Sequence, residues 1–302
     1  MSTWPRGWPG SGKVSPVELT LFSPAKVNLG LSVLHRRPDQ YHQLHTLFLA
    51  LDQGDTLHIE PVRSGITLTV EGADLPVGPE NLVYRAAQSY LEASNWPRGV
   101  RIHLVKRLPV AAGLGGGSGN AATTLLGLAR LYPAAVDLPL LARLLGADVP
   151  FFLKPGLAEG QGIGELLEPH PLPEIWLVLL NPGLAVAASL AYRHLEPPDW
   201  DPPLPVQAVL TALAQGTEPP YWNTLEKPVF RLFPQLALLR EALREVGLQG
   251  VLMSGSGSTL LGVALSKPQA EQMAQALAER YPQAWVRVAG VYRQGQSQLG
   301  PG

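Results

Sequence analysis

The chain contains no cysteine. Disulfides, thiolate zinc sites, iron–sulfur clusters and cysteine nucleophiles are thereby excluded, and the composition fits a reducing, cytoplasmic setting. Charge is also scarce, at 16% of residues, against roughly 25% in ordinary soluble domains. The 23 basic and 24 acidic side chains leave a net charge of −1. Such a balance carries no electrostatic footprint for nucleic acid, so none is expected as a partner. A membrane span is not expected either. The uncharged stretch 108–129 is long enough in principle, but its glycines and hydroxyl side chains argue against a lipid-facing helix. Residues 1–16 lack the apolar run of a targeting signal and read as a flexible arm, as do residues 296–302.

What the chain has in excess is glycine and proline, 31 and 30 of its 302 residues. Spread through polar tracts they would indicate disorder, but here apolar segments surround them, and 46% of the chain is hydrophobic. The length suits one large or two ordinary domains. Short Val-, Leu- and Thr-rich runs at 17–22, 27–34, 56–61, 66–71 and 100–106 predict strands, and apolar residues at helical spacing predict a helix over 81–93. Helices are also expected over 120–131 and 138–145, and a first domain is expected to close near residue 165. Between 169 and 234, thirteen prolines bracket short helical stretches and a strand at 176–180. Beyond them the pattern gives a helix at 235–246, strands at 250–253 and 259–264, a helix at 268–279 and a strand at 284–289. The fold class is α+β, with units at 17–165 and 166–295.

Two glycine-rich segments invite a phosphate. Residues 7–14 fall one residue short of a P-loop, lacking Ser or Thr after Lys13, and no strand precedes them. By contrast, Pro109-Val110-Ala111-Ala112-Gly113-Leu114-Gly115-Gly116-Gly117-Ser118-Gly119-Asn120 joins a predicted strand to a predicted helix. Glycines there allow positive φ and close approach, and the free N–H groups of a helix start attract an anion. No dinucleotide fingerprint and no Gly-Lys-Ser/Thr occurs, which disfavours dehydrogenases and P-loop enzymes. The glycine cluster at 156–164 has no assignment from sequence.

Pro109 to Ser118 resembles the phosphate-binding motif of the GHMP kinases. Ser23-Pro24-Ala25-Lys26-Val27-Asn28-Leu29 resembles their first motif, and Leu252-Met253-Ser254-Gly255-Ser256-Gly257-Ser258-Thr259 their third, in the same order. The pattern Arg36-Arg37-Pro38-Asp39-Gln40-Tyr41-His42, followed by Gly146-Ala147-Asp148-Val149-Pro150, is similar to the branch that phosphorylates 4-diphosphocytidyl-2-C-methyl-D-erythritol. The resemblance covers about residues 17 to 290. It implies an N-terminal domain of the ribosomal protein S5 domain 2-like type, a ferredoxin-like α/β-plait C-terminal domain, and an active site in the interdomain cleft. It also implies ATP and Mg2+ as cofactors, a small-molecule substrate, and a monomer or weak homodimer.

The resemblance further implies roles. Asp148 is the expected base, and Lys26 stands beside it and the attacking hydroxyl; an adjacent cation favours an ionised carboxylate. Asn28 is expected to bond substrate nearby, with Gly255 and Ser256 also at the substrate. Tyr41 should stack on cytosine, His42 read its edge, and Tyr192 supply a second aromatic face. Asn81 and Leu82 match positions around adenine, although Asn81 also reads as a helix cap, and Lys106 borders the nucleotide. Ser118 is a candidate for phosphate or magnesium, while Glu159 and Glu165 are candidate metal ligands only by closeness to Asp148 in sequence. Three positions depart from the pattern: Gln40 replaces a glycine, Gly119 a small residue with a Cβ, and Ala188 a hydroxyl that Ser189 would have to supply.

Overall fold

The computed structural model describes residues 18–293; the arm at 1–16, with its P-loop look-alike, and the tail at 296–302 lie outside them. Six strands, β1 (Leu19–Arg36), β2 (His42–Val62), β3 (Ile66–Glu71), β4 (Gly99–Val105), β5 (Leu157–Gly162) and β6 (Leu166–His170), form one sheet. Its order is β3-β4-β2-β5-β6, with β1 paired to β2. The separate strands expected at 17–22 and 27–34 are one strand. Pro24, which has no N–H to give the ladder, sits at a register shift that lets β1 continue past it. Residues 42–55 carried no strand signal, yet they extend β2 because their apolar side chains are buried in an unbroken run rather than in alternation.

Helices α1 (Leu82–Ser94), α2 (Gly116–Leu131) and α3 (Leu138–Leu145) cover this sheet. Val83, Ala86 and Tyr90 of α1 and Leu125 and Leu128 of α2 pack on Leu57, Ile59, Ile102 and Leu104. The hydroxyls that this core buries are satisfied, Tyr90 donating to the carbonyl of Tyr132 and Tyr132 to that of Gly99. Helix α2 starts four residues before the expected 120, because the glycines of the loop form its first turn. The division expected at 165 falls inside the β5–β6 turn, and β6 pairs with β5, so the first sheet runs to His170.

The second unit contains β7 (Trp176–Asn181), β8 (Gln249–Met253), β9 (Leu260–Ala264) and β10 (Trp285–Gly290), all antiparallel in the order β10-β7-β9-β8. Helices α4 (Ala188–Arg193), α5 (Val206–Gln215), α6 (Glu226–Leu232) and α7 (Gln235–Glu245) lie between β7 and β8, and α8 (Lys267–Arg280) between β9 and β10. This strand order and connectivity are those of a ferredoxin-like α/β plait. Strand β7 alternates between two cores: Leu177 and Leu179 pack with Val27, Leu29, Leu47 and Leu49 of the first sheet, while Val178 and Leu180 face Leu236, Leu243 and Leu277 of the helices. The first of these cores joins the two units. No described helix is long and apolar enough to cross a membrane.

Candidate active site

The glycine loop is held by its carbonyls. Ala111 accepts from Val186 N at 3.0 Å, Ala112 from Thr259 N at 3.2 Å, and Leu114 from Lys26 N at 2.9 Å. The Gly113 carbonyl accepts from Ser254 Oγ at 2.9 Å. Gly113 has φ +76, and a Cβ there would lie 2.0 Å from the Ser254 carbonyl, so no other residue fits between the loop and the 254–258 turn. With its carbonyls turned to the protein, the loop leads into the N–H groups at the start of α2, which have no intrahelical acceptor.

Two cavities share this loop. The smaller, 330 Å³, is lined by Asn81, Leu82, Lys106, every residue from 109 to 118, and Asn120. Asn81 also caps α1, its Oδ1 accepting from Val83 N at 2.9 Å, while its Nδ2 donates to the Pro76 carbonyl. Gly119 is the one predicted nucleotide residue absent from the wall. It faces β1, and a Cβ there would come within 2.9 Å of the Pro24 carbonyl, so α2 approaches β1 more closely than a side chain permits. The Lys106 ammonium is buried on Asp55 and Asn120.

The larger cavity, 620 Å³, brings together Lys26, Asn28, Tyr41, His42, Asp148, Tyr192, Gly255 and Ser256, with Gly113, Gly115 and Ser118 of the loop. Lys26 and Asn28 project from β1, Asp148 from the turn after α3, Tyr192 from α4, and Gly255 and Ser256 from the turn after β8. Lys26 is only 4% exposed. Its Nζ donates to Asn28 Oδ1 at 2.8 Å, stands 3.5 Å from Asp148 Oδ2, and lies over the Phe48 ring. The Asn28 amide is fixed in turn by donating to Thr46 Oγ1 at 2.7 Å, and Thr46 donates to the Gly30 carbonyl. The buried rings of Phe151 and Phe152 pin the segment carrying Asp148 to the core.

The three aromatic side chains expected at cytosine meet on this wall: His42 stacks with Tyr192, with ring centroids 5.3 Å apart, and Tyr41 sits at the rim, 61% exposed. Burial, then the Arg36 charge, pushes the His42 imidazole below its usual pKa. Burial, then the negative charge of Asp148, pushes the Tyr192 phenol well above its own. Gln40 takes the left-handed conformation of the glycine it replaces, at φ 72, and both Ala188 and Ser189 reach the cavity wall. Glu159 and Glu165 line neither cavity. Glu159 Oε1 accepts from Gln161 and pairs with His45 Nε2 at 2.7 Å, and Glu165 accepts from Ile163 N within a turn. The sequence reading also missed Thr46, Asp55 and Ser254. Ser254 lay in a recognised motif, whereas Asp55 follows Gly54 and reads as turn punctuation.

Residues 81–156 match the GHMP kinases N terminal domain and residues 208–283 the GHMP kinases C terminal domain. A protein of Thermus thermophilus named 4-diphosphocytidyl-2-C-methyl-D-erythritol kinase is 55% identical over 93% of this chain and 98% of its own length. One of Deinococcus radiodurans with the same name is 52% identical, over 92% and 94% respectively. The crystal structure of a 4-(cytidine 5'-diphospho)-2C-methyl-D-erythritol kinase superposes with a TM-score of 0.83 at 53% identity, covering 91% of this chain and 100% of the other. With two cavities meeting on a helix-capping glycine loop, and with relatives this close, the chain belongs to the GHMP kinases, in the branch of the 4-diphosphocytidyl-2-C-methyl-D-erythritol kinases.

Proposed function

We propose that this chain transfers the γ-phosphoryl group of ATP to the 2-hydroxyl of 4-diphosphocytidyl-2-C-methyl-D-erythritol, giving the 2-phosphate and ADP, in the non-mevalonate route to isoprenoid precursors. One observation carries the reading: Gly113, Gly115 and Ser118 line both cavities, so a nucleotide in one and an alcohol in the other meet across a single loop. The kinase name borne by the relatives supplies the acceptor.

In this reading adenine lies among Asn81, Leu82, Pro109 and Val110, and the phosphates reach the N–H groups of Gly116, Gly117 and Ser118 at the positive end of α2. Asp148 takes the proton of the attacking hydroxyl as its oxygen bonds to the γ-phosphorus and the bond to the β-phosphate oxygen breaks. Lys26 neutralises charge between hydroxyl and phosphate, and Asn28 fixes the direction of that ammonium. Cytosine stacks between Tyr41 and Tyr192, with His42 presenting its ring nitrogens to the edge of the base. Ser118 Oγ is a hard oxygen donor on the wall of both cavities, and magnesium needs only one or two protein oxygens beside phosphates and water. Ser118 would hold Mg2+, which supplies charge neutralisation on the phosphates when bound.

The test is ADP release by the purified chain with ATP, Mg2+ and one alcohol at a time. Turnover is expected with the cytidyl substrate. Turnover of homoserine or mevalonate in its place overturns the assignment.

A further inference from the structure

One buried carboxylate outside the reacting centre is tied to the glycine loop at both ends. Asp55 is fully buried at the point where β2 passes Ser23. Its Oδ1 accepts from the backbone N–H groups of Arg107, at 2.8 Å, and Leu108, at 3.0 Å, which lead into the loop. Its Oδ2 accepts from the Lys106 ammonium and, at 3.0 Å, from Asn120 Nδ2 in the first turn of α2, which leads out of it. Every acceptor position of the carboxylate is filled by a group flanking residues 109–119. The network closes on itself, because Lys106 Nζ also donates to Asn120 Oδ1 at 3.2 Å and Asn120 Nδ2 to Ser23 Oγ at 2.9 Å.

Burying an ammonium and a carboxylate together gives little net stability over an apolar pair, so stability alone is a weak reason for the arrangement. A geometric reason is on hand. The Lys106 ammonium lies 3.1 Å from where a Cβ of Gly116 would stand, directly against the first turn of α2. Anion binding by backbone N–H groups depends on the positions of consecutive amides, and a loop rich in glycine does not fix these by itself.

We propose that Asp55 is a positioning residue for ATP: it holds the two ends of the glycine loop at a fixed separation, and so sets the register of the N–H groups that receive the phosphates. This rests on the kinase reading above for the identity of the anion. Asp55 touches neither cavity and takes no part in proton transfer.

Two variants of the full chain separate this from simple charge balance. Asp55→Glu keeps the charge but adds a methylene, so that the carboxylate no longer meets the two backbone donors and Asn120 at once, and Asp55→Asn puts an amide donor against Lys106 and Asn120. The readouts are the Kd of a non-hydrolysable ATP analogue, the KM for ATP and for the cytidyl substrate, and the melting temperature. Both variants are expected to raise the analogue Kd and the KM for ATP by about 10-fold or more, with the cytidyl KM within about 3-fold. Nucleotide affinity kept in Asp55→Glu and lost in Asp55→Asn, the pattern of charge balance alone, overturns the proposal, as does a lower melting temperature with unchanged Kd. Should Asp55→Asn fail to fold, Asp55→Glu carries the comparison. Analogue binding is read without any acceptor, so a wrong acceptor shows as absent wild-type turnover while the positioning result stands or falls separately.

Discussion

The ammonium of Lys26 and the carboxylate of Asp148 stand 3.5 Å apart on the wall of the larger cavity, the first buried and the second about a third exposed. The cation is locked by Asn28 and Phe48 while the carboxylate keeps an open side. That asymmetry suits a fixed charge beside a group that must reach a substrate proton.

Asp148→Asn keeps the size of the side chain and removes its ability to accept a proton. Turnover is expected to fall by about 10²- to 10⁴-fold, with the affinity for a non-hydrolysable ATP analogue changed by less than about 3-fold. Single-turnover kinetics and equilibrium titration measure the two. Near-normal turnover would remove Asp148 from the role of base.

Tyr192→Ala removes the face against which His42 stacks. Loss of one aromatic contact of this kind is worth ~1–3 kcal/mol, so the KM for the cytidyl substrate should rise about 10-fold or more. Tyr192→Phe should keep most of it. Equal losses in both variants would point to the hydroxyl instead of the ring.

Burial, reinforced by Arg36, lowers the pKa of His42 in the folded chain. The unfolded chain therefore binds more protons than the folded one as pH falls below about 6.5, and stability rises with pH in that range. The His42 contribution is fully present above that value and is lost as pH falls through the depressed folded value. Denaturant titrations between about pH 7.5 and 5 should show a shallower loss for His42→Gln than for the native chain. An identical slope would contradict this.

Gly119→Ala tests propensity against packing. Helix propensity alone favours alanine by up to ~1 kcal/mol, but the new Cβ would lie 2.9 Å from the Pro24 carbonyl and 3.1 Å from Ser23 Oγ. Overpacking of this kind costs about 1–3 kcal/mol, so a net destabilisation near 1 kcal/mol is expected. Thermal or chemical denaturation measures it, and a stabilised variant would show that α2 can move away from β1.

Much of this architecture is legible in the sequence. Helices α1, α2, α3, α7 and α8 and the strands of the second unit follow from periodicity, and the residues singled out by motif, Gly119 apart, come together on two cavity walls. What periodicity cannot register is a strand buried on both faces, and β2 from His42 to Ala50 is of that kind. Nor does it register glycine used as a slot. Gly160 in β5 leaves room for the Phe48 ring, which a Cβ would meet at 2.8 Å, and Gly162 turns the chain toward Glu165 at φ +73. These contacts account for much of the 156–164 cluster. Asp55 was hidden because an acid beside glycine looks like a turn, when its carboxylate is fully enclosed and fully bonded. The stacking of His42 on Tyr192 depends on how α4 docks near the β1–β2 hairpin, which local sequence does not encode.

The glycine loop belongs by sequence to the first half of the chain, but its anchorage does not. Of the four carbonyls held at 111–114, three are fastened by Val186, Ser254 and Thr259 of the second half. That half therefore acts as a mould in which the loop is cast. In a chimera between two relatives, affinity for the nucleotide should follow the origin of the mould as much as that of the loop, and changes selected for nucleotide grip would accumulate in a segment that lies outside the wall of the smaller cavity.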